Sequence, residues 1–200
     1  MLYELHLTTA PSADLGEWSR MWKTLDIKPL AIQVASDEGV PENPFQVMMA
    51  AVFEGNDDEA RDWVFGLEAI MEDKGFDLVR SKIEVPLDKS VQYRPAYYET
   101  HVKSLIQPAH TDEVILAAED LGWKASTNVL FSHEAGLEKW YFTRRAYDDG
   151  SDTFNYLNIG HQFSKAFSEL VNADLPFHTV RMEKEAVIGD TNPGYDEGWA

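Results

Sequence analysis

The sequence predicts an α+β fold: a duplicated βαββαβ chain, that is, two ferredoxin-like halves meeting at a pseudo-two-fold cleft. Three observations predict it. Tyr3, Glu4 and His6 of "YELHLT" recur as Tyr98, Glu99 and His101 of "YYETHVK", 95 positions on. Phe45, Ala51, Gly55 and Asp57 fall on Trp140, Ala146, Gly150 and Asp152 at the same spacing. "VRSKIE" at 79–84 then falls on "VRMEKE" at 180–185, six positions further out, as a longer second helix or following loop would require. A fixed internal period read as two supersecondary units is the signature of duplication.

The elements follow in order. Tyr3 to Thr8 alternates as a strand. Leu15, Trp18, Met21, Trp22 and Leu25 recur at helical spacing after Asp14. Leu30 to Ala35 and Phe45 to Phe53 read as strands around the turn-rich "SDEGVPENP". Asn56 with Glu59 three residues on forms a capping box. The helix it opens carries Trp63, Val64, Leu67, Ile70 and Met71 and stops at Gly75. Leu78 to Val85 closes the first half. In the second half, Tyr97 to Lys103 is a strand, and Thr111 caps a helix that Gly122 ends. Ala125 to Phe131 and Lys139 to Tyr147 are strands. A longer helix carries Phe154, Leu157, Phe163, Phe167 and Leu170, and His178 to Val187 is the last strand. The boundaries expected are 1–88 for the first half, 96–188 for the second and 189–200 for a C-terminal flap, with "PLDKSVQYRP" as linker.

Composition excludes several classes. The chain has 200 residues, 44% of them hydrophobic, enough for a sizeable core. No apolar run approaches the roughly 20 residues of a membrane span. There is no cysteine, hence no disulfide framework, thiolate metal site or thiol nucleophile. A soluble cytoplasmic protein is expected, without a signal peptide. The formal charge of −18 opposes generic nucleic-acid binding, because such a surface repels phosphate backbones. A protein partner for the acidic surface is the remaining macromolecular expectation.

Alternation in the strands places the candidate site. Glu4 and His6 share the face turned away from Leu5 and Leu7, and Glu99, His101 and Lys103 share the equivalent face. Arg80, Lys82 and Glu84 alternate in one closing strand, and Arg181, Glu183 and Glu185 in the other. Ionisable side chains in a partly dry cleft are candidates for chemistry. The leading expectation is a small anionic ligand, a nucleotide or phosphate ester, bound between the halves. His6 and His101 would be the acid–base pair, with hydrolysis as the activity they would support. Arg80, Lys82, Lys103 and Arg181 would hold the anion. Glu4 and Glu99 would orient the histidines, and Glu183, Asp190 and Asn192 would complete the site. The layout is analogous to that of two-histidine phosphoesterases with paired H-x-[ST] motifs. Here "HLT" fits at His6, but the second motif reads "HVK", with Lys103 in the hydroxyl position. A metal at Glu4, His6, Glu99 and His101 is a lesser expectation, and no cofactor is assigned. The alternative class is a non-catalytic acidic interaction or inhibitor protein that imitates nucleic acid.

"GDTNPGYDEGW" at 189–199 spaces Asp190, Asn192, Gly194 and Asp196 like a calcium loop. It lacks the glycine and terminal glutamate that an EF-hand requires, so it is read as a flap anchored by Trp199. Together with "YELHLT", "ETHVK" and "EKEAVIGDTN", this tail resembles that of uncharacterised bacterial proteins of similar length ending in Asp-x-Asn…Asp-x-Gly-Trp. The resemblance covers nearly the whole chain and implies no activity.

Overall fold

The computed structural model describes residues 1–10, 13–25, 27–35, 45–147 and 156–196. Nine strands and four helices follow the order β1 (Leu2–Thr9), α1 (Leu15–Thr24), β2 (Lys28–Val34), β3 (Phe45–Glu54), α2 (Asp57–Asp73), β4 (Leu78–Pro86), β5 (Tyr97–Ile106), α3 (Thr111–Asp120), β6 (Lys124–Asn128), β7 (His133–Glu134), β8 (Leu137–Ala146), α4 (Tyr156–Asn172) and β9 (Phe177–Asp190). The expected helix signals operate as chemistry. Asp14 accepts from the Glu17 amide at the start of α1. Asn56 and Glu59 form the reciprocal capping box of α2. Gly75 and Gly122 take the positive φ that ends a helix. Thr111 is the first residue of α3 rather than its cap, a place held by His110. The expected linker winds into a 3-10 segment, Leu87–Gln92. The turn expected at 36–44 and the Trp199 anchor lie outside the described residues.

The fold class differs from the expectation. Eight strands form one closed antiparallel barrel, in the ring order β5-β9-β4-β1-β3-β2-β6-β8, with β8 pairing back onto β5. Two-residue β7 pairs with β8 outside the ring. The chain is therefore not a pair of ferredoxin-like halves facing each other across a cleft. The reason lies at the strand edges. Strands β1 to β4 are ordered β4-β1-β3-β2 and the later four β9-β5-β8-β6. Each set alone would leave two edges with unpaired amides and carbonyls, a liability that closure removes. β4 joins β9, with Lys82 opposite Asp190 and Glu84 opposite Val187. β2 joins β6, with Ile32 opposite Asn128. The two sets thus meet edge to edge, and the face expected to line a cleft becomes the inside of a tube.

The helices cover the outside of the tube. Tyr3, Leu5 and Leu7 of β1, Met49 of β3, Trp18 and Trp22 of α1, and Leu67 and Met71 of α2 belong to one buried cluster. Val102, Trp123, Phe142, Val114 of α3 and Leu170 of α4 belong to a second. Both apolar cores therefore lie between the outer barrel surface and the helices, which leaves the inner surface free for other chemistry. No helix among the described residues is long and apolar enough to cross a membrane.

Candidate functional site

The lumen holds a cavity of about 200 Å³. Its walls are unlike. Strands β1, β4, β9 and β5 are neighbours in the ring, and they supply Glu4, His6, Arg80, Lys82, Glu185 and His101. Facing them, β2 and β3 supply Leu30, Ile32, Met48 and Ala50, with Lys28 and Gln46 beside them. Polar neutral groups, Ser126 and Asn128 of β6 with Tyr141 and Thr143 of β8, fill the arc between.

The charged wall is built from two matched units. His6 Nε2 lies 3.4 Å from Glu4 Oε1 and 2.8 Å from Glu84 Oε2. His101 Nε2 lies 3.5 Å from both Glu99 Oε2 and Glu185 Oε2. Each histidine and its first carboxylate sit two apart on one strand, so the pleat puts them on one face. The second carboxylate comes from the closing strand of the same set. Glu84 and Glu185 are the corresponding residues of "VRSKIE" and "VRMEKE".

Cations stitch the units together. Lys82 Nζ lies 2.8 Å from Glu84 Oε1 and donates to Glu99 Oε2 at 2.9 Å. Arg145 grips Glu99 Oε1 through Nε at 3.0 Å and Nη2 at 2.7 Å. Arg80 donates to Asp190 through Nε at 3.0 Å and Nη2 at 2.6 Å, and to the Tyr97 hydroxyl at 2.7 Å. The Glu84 contacts are ion pairs by distance, while neither oxygen has an aligned hydrogen bond.

These contacts set the protonation states. Burial pushes the Glu84 carboxyl up, but the Lys82 ammonium and the His6 imidazolium outweigh it and bring it down to about 2. Burial also disfavours charge on the histidines. The Glu84 charge and the Glu4 contact nevertheless raise His6 to about 9, and Glu99 with Glu185 raises His101 to about 9. Glu185 behaves oppositely to Glu84. Burial and the Glu84 charge push it up to about 8 against the pull of His101. Lys82 is held well above the ordinary lysine value and Glu99 well below the ordinary carboxylate value, each against its own burial. At neutral pH both imidazoles are therefore protonated and the Glu185 carboxyl is largely neutral.

Of the residues singled out from the sequence, Glu4, His6, Arg80, Lys82, Glu99, His101 and Glu183 line the lumen. Asp190 is tied to Arg80 behind the wall. Asn192 donates its amide to the Val79 carbonyl at 3.2 Å and fastens the chain after β9 to β4. Asp190 is thus the ion-pair partner of Arg80. Lys103 turns to Glu134 at 3.4 Å, and the largely exposed Arg181 to Glu183 at 2.5 Å. Neither is among the lumen residues. Sequence reasoning left Glu84, Glu185 and the apolar wall out of the site; of the consecutive Arg144 and Arg145, one was expected to enter it, and Arg145 does. The signal for Glu84 and Glu185 was their matched position. The signal for the wall was "FQVMMAAVF", apolar on both faces, as expected of a strand covered on both sides.

The ferredoxin-like description falls with the fold, and the phosphate-ester hydrolase description attached to it is corrected too. Lys82, Arg80 and Arg145 are each engaged by a carboxylate, so these three cations do not stand ready for a phosphate dianion. The tetrad Glu4, His6, Glu99 and His101 is not assembled as a metal site either, because Glu99 is spent on Lys82 and Arg145. The groups whose ligand atoms lie within 4.8 Å of one another are Glu84–His101–Glu185 and Glu4–Glu183–Glu185. No protein-family model matches the chain, and no characterised protein matches it.

Proposed function

We propose that the barrel lumen binds a small anionic ligand, with His6 and His101 as its proton-donating groups. The observation that carries this reading is the enclosure of two matched His–Glu units on one wall. The side chains of His6 and His101 are only 13% and 24% exposed. An enclosed, semi-dry set of titratable groups is what ligand chemistry uses, and a protein acting only through an acidic exterior has no need of it. The charge balance agrees. With both imidazoles protonated and Glu185 neutral, Arg80, Lys82, Arg145, His6 and His101 face Glu4, Glu84, Glu99 and Asp190, one positive charge in excess. Lys28 and the Glu183–Arg181 pair lie at the exposed rim and leave that balance unchanged in sign. Lys28 adds to this excess, and a net positive lumen favours an anion. A cavity of about 200 Å³ lies below the roughly 300–1,000 Å³ of drug-sized pockets and favours a ligand smaller than a nucleotide. A cytoplasmic setting belongs to the same proposal and is supported by the cysteine-free composition.

One observation favours a second reading. Glu185 belongs to both carboxylate groups, and a divalent cation there would discharge the repulsion that keeps it protonated. The Lys82 ammonium, 2.8 Å from Glu84, opposes it.

Thermal denaturation at pH 7 separates the readings, because a ligand of the native state raises the midpoint by mass action. The panel is acetate, butyrate, inorganic phosphate, MnCl2 and ZnCl2. Wild type should respond to the carboxylates, and His101→Gln, verified as folded by circular dichroism, should not. A rise with manganese or zinc alone that disappears in Glu185→Gln would establish the cation reading. No rise with any compound overturns both and leaves the acidic exterior as the functional surface.

A further inference from the structure

Leu30, Ile32, Met48 and Ala50 belong to neither packed core. The cluster around Leu5, Trp18 and Met49 does not include them, nor does the cluster around Val102 and Phe142. All four face the cavity. Register brings them together. On β2 and β3, Leu30 lies opposite Met48 and Lys28 opposite Ala50, while Ile32 lies opposite Gln46. Leu30 and Ala50 are buried, while Ile32 and Met48 stay half-buried, and apolar surface that faces a void forfeits the dispersion contacts a filled interior would supply. Beside them stands an arc of polar groups. Thr143 Oγ1 is 2.9 Å from His101 Nδ1. Tyr141 is kept neutral, a hydroxyl donor, by burial and the charge of Glu183. Asn128 spends its carbonyl oxygen on the Ala31 and Leu130 amides, which leaves its NH₂ as a donor. The lumen thus offers hydrogen-bond donors at one side and, between Lys28 and Gln46, the hydrocarbon of Leu30, Ile32, Met48 and Ala50 at the other.

We propose that the ligand is a small monocarboxylic acid with an apolar body, its carboxylate at His101, Thr143 and Tyr141 and its body against Leu30, Ile32 and Met48. The proposal rests on the anionic-ligand reading above and narrows it. A bare inorganic anion leaves the β2–β3 wall uncovered. A neutral apolar molecule covers that wall and leaves the excess positive charge unmet. A monocarboxylate with a short hydrocarbon chain answers both. Chain length then becomes the determinant of affinity, at roughly fourfold per buried methylene until the cavity is full.

The test is calorimetric titration of the full chain at pH 7 with acetate, butyrate, hexanoate and hexan-1-ol, on wild type and on Met48→Gln. Met48→Gln keeps the side-chain length and changes only the polarity of the wall. Hexanoate should bind wild type at least tenfold more tightly than acetate. In Met48→Gln that ratio should shrink below about threefold. Equal affinity for acetate and hexanoate in wild type overturns this inference and leaves the anion reading standing. Hexan-1-ol binding as tightly as hexanoate, or no carboxylate binding to a folded protein, overturns the anion reading itself. His101→Gln should weaken acetate and hexanoate by the same factor. A loss confined to hexanoate would contradict the assigned orientation.

Discussion

His6 between Glu4 and Glu84, and His101 between Glu99 and Glu185, are the same three residue types at corresponding places on corresponding strands. Yet the two carboxylates of the closing strands sit at opposite ends of the titration scale, Glu84 at about 2 and Glu185 at about 8. Glu84 is 1% exposed and Glu185 13%, and each lies beside a histidine. The difference comes from one position. Opposite His6 on β4 stands Lys82, and opposite His101 on β9 stands Glu183. Lys82 reaches Glu84 and Glu99 at once, so it pairs with one carboxylate of each unit, while Glu185 has the His101 ring as its ion-pair partner and no ammonium. A repeated scaffold supplies the geometry, and a single charge reversal makes one unit an ion pair and the other an acid.

The most disruptive way to break the comparison is Lys82→Met. Its ammonium is the shared partner of two carboxylates that are 1% and 4% exposed. Removing one member of a buried ionic set leaves uncompensated charge, at a cost of about 3–5 kcal/mol. Urea denaturation at pH 7 measures it. The cost should shrink at pH 4, where carboxylates left unpaired accept protons. A loss below about 1 kcal/mol would mean that Lys82 does not hold the two units together.

The choice of Lys82 as a site residue was legible from alternation alone, as were Glu4, His6, Glu99 and His101. Alternation states which side chains share a face, and the face opposite Leu5 and Leu7 had to be theirs. It does not state what that face meets. The β4–β9 and β2–β6 pairings join residues far apart in the chain through backbone groups that every sequence carries, so no side-chain pattern announces them. A cleft between two sheets and the lumen of one barrel therefore read alike. The same gap explains Lys103 and Arg181. Both sit on the predicted inward face, but at the end of the tube, where Glu134 and Glu183 draw them away from the cavity. Glu84 and Glu185 had the right phase. Their importance depended on how close the two sets come, with Glu84, His101 and Glu185 atoms within 4.8 Å of one another, and only closure brings that about.

A smaller effect appears in the pH dependence of stability. Glu84 is depressed from 4.5 to about 2. Its contribution is complete above pH 4.5 and is lost as pH falls toward 2. His6 and His101 are raised from 6.5 to about 9, so theirs is complete below 6.5 and is lost as pH rises through 9. Glu185, raised from 4.5 to about 8, adds to that loss, because the folded state keeps a proton that the unfolded chain releases. Stability should therefore fall on both sides, with the alkaline fall beginning before the histidines titrate. Glu185→Gln should remove the early part. Between pH 5 and 7.5 the wild-type slope should exceed that of the variant by up to one proton, about 1.4 kcal/mol per pH unit. Parallel profiles would show that Glu185 is already ionised in the folded protein.

The finest probe restores the symmetry instead of breaking it. Glu183→Lys puts on β9 the residue that β4 already has. At pH 7 the change in unfolding free energy should stay below about 1 kcal/mol, because the lost pair joins a side chain 33% exposed to one 68% exposed, and such surface pairs contribute little. The titration of Glu185 should nevertheless move, because an ammonium at this position opposes the repulsion from Glu84 and Glu4. Carbon-detected NMR of the glutamate carboxyls, with Glu185→Gln to assign the resonance, should show a fall of at least one unit. If neutral-pH stability holds and the resonance does not move, the asymmetry does not arise from the Lys82–Glu183 position. It would then lie in the longer contact of the second unit, 3.5 Å from His101 to Glu185 against 2.8 Å from His6 to Glu84.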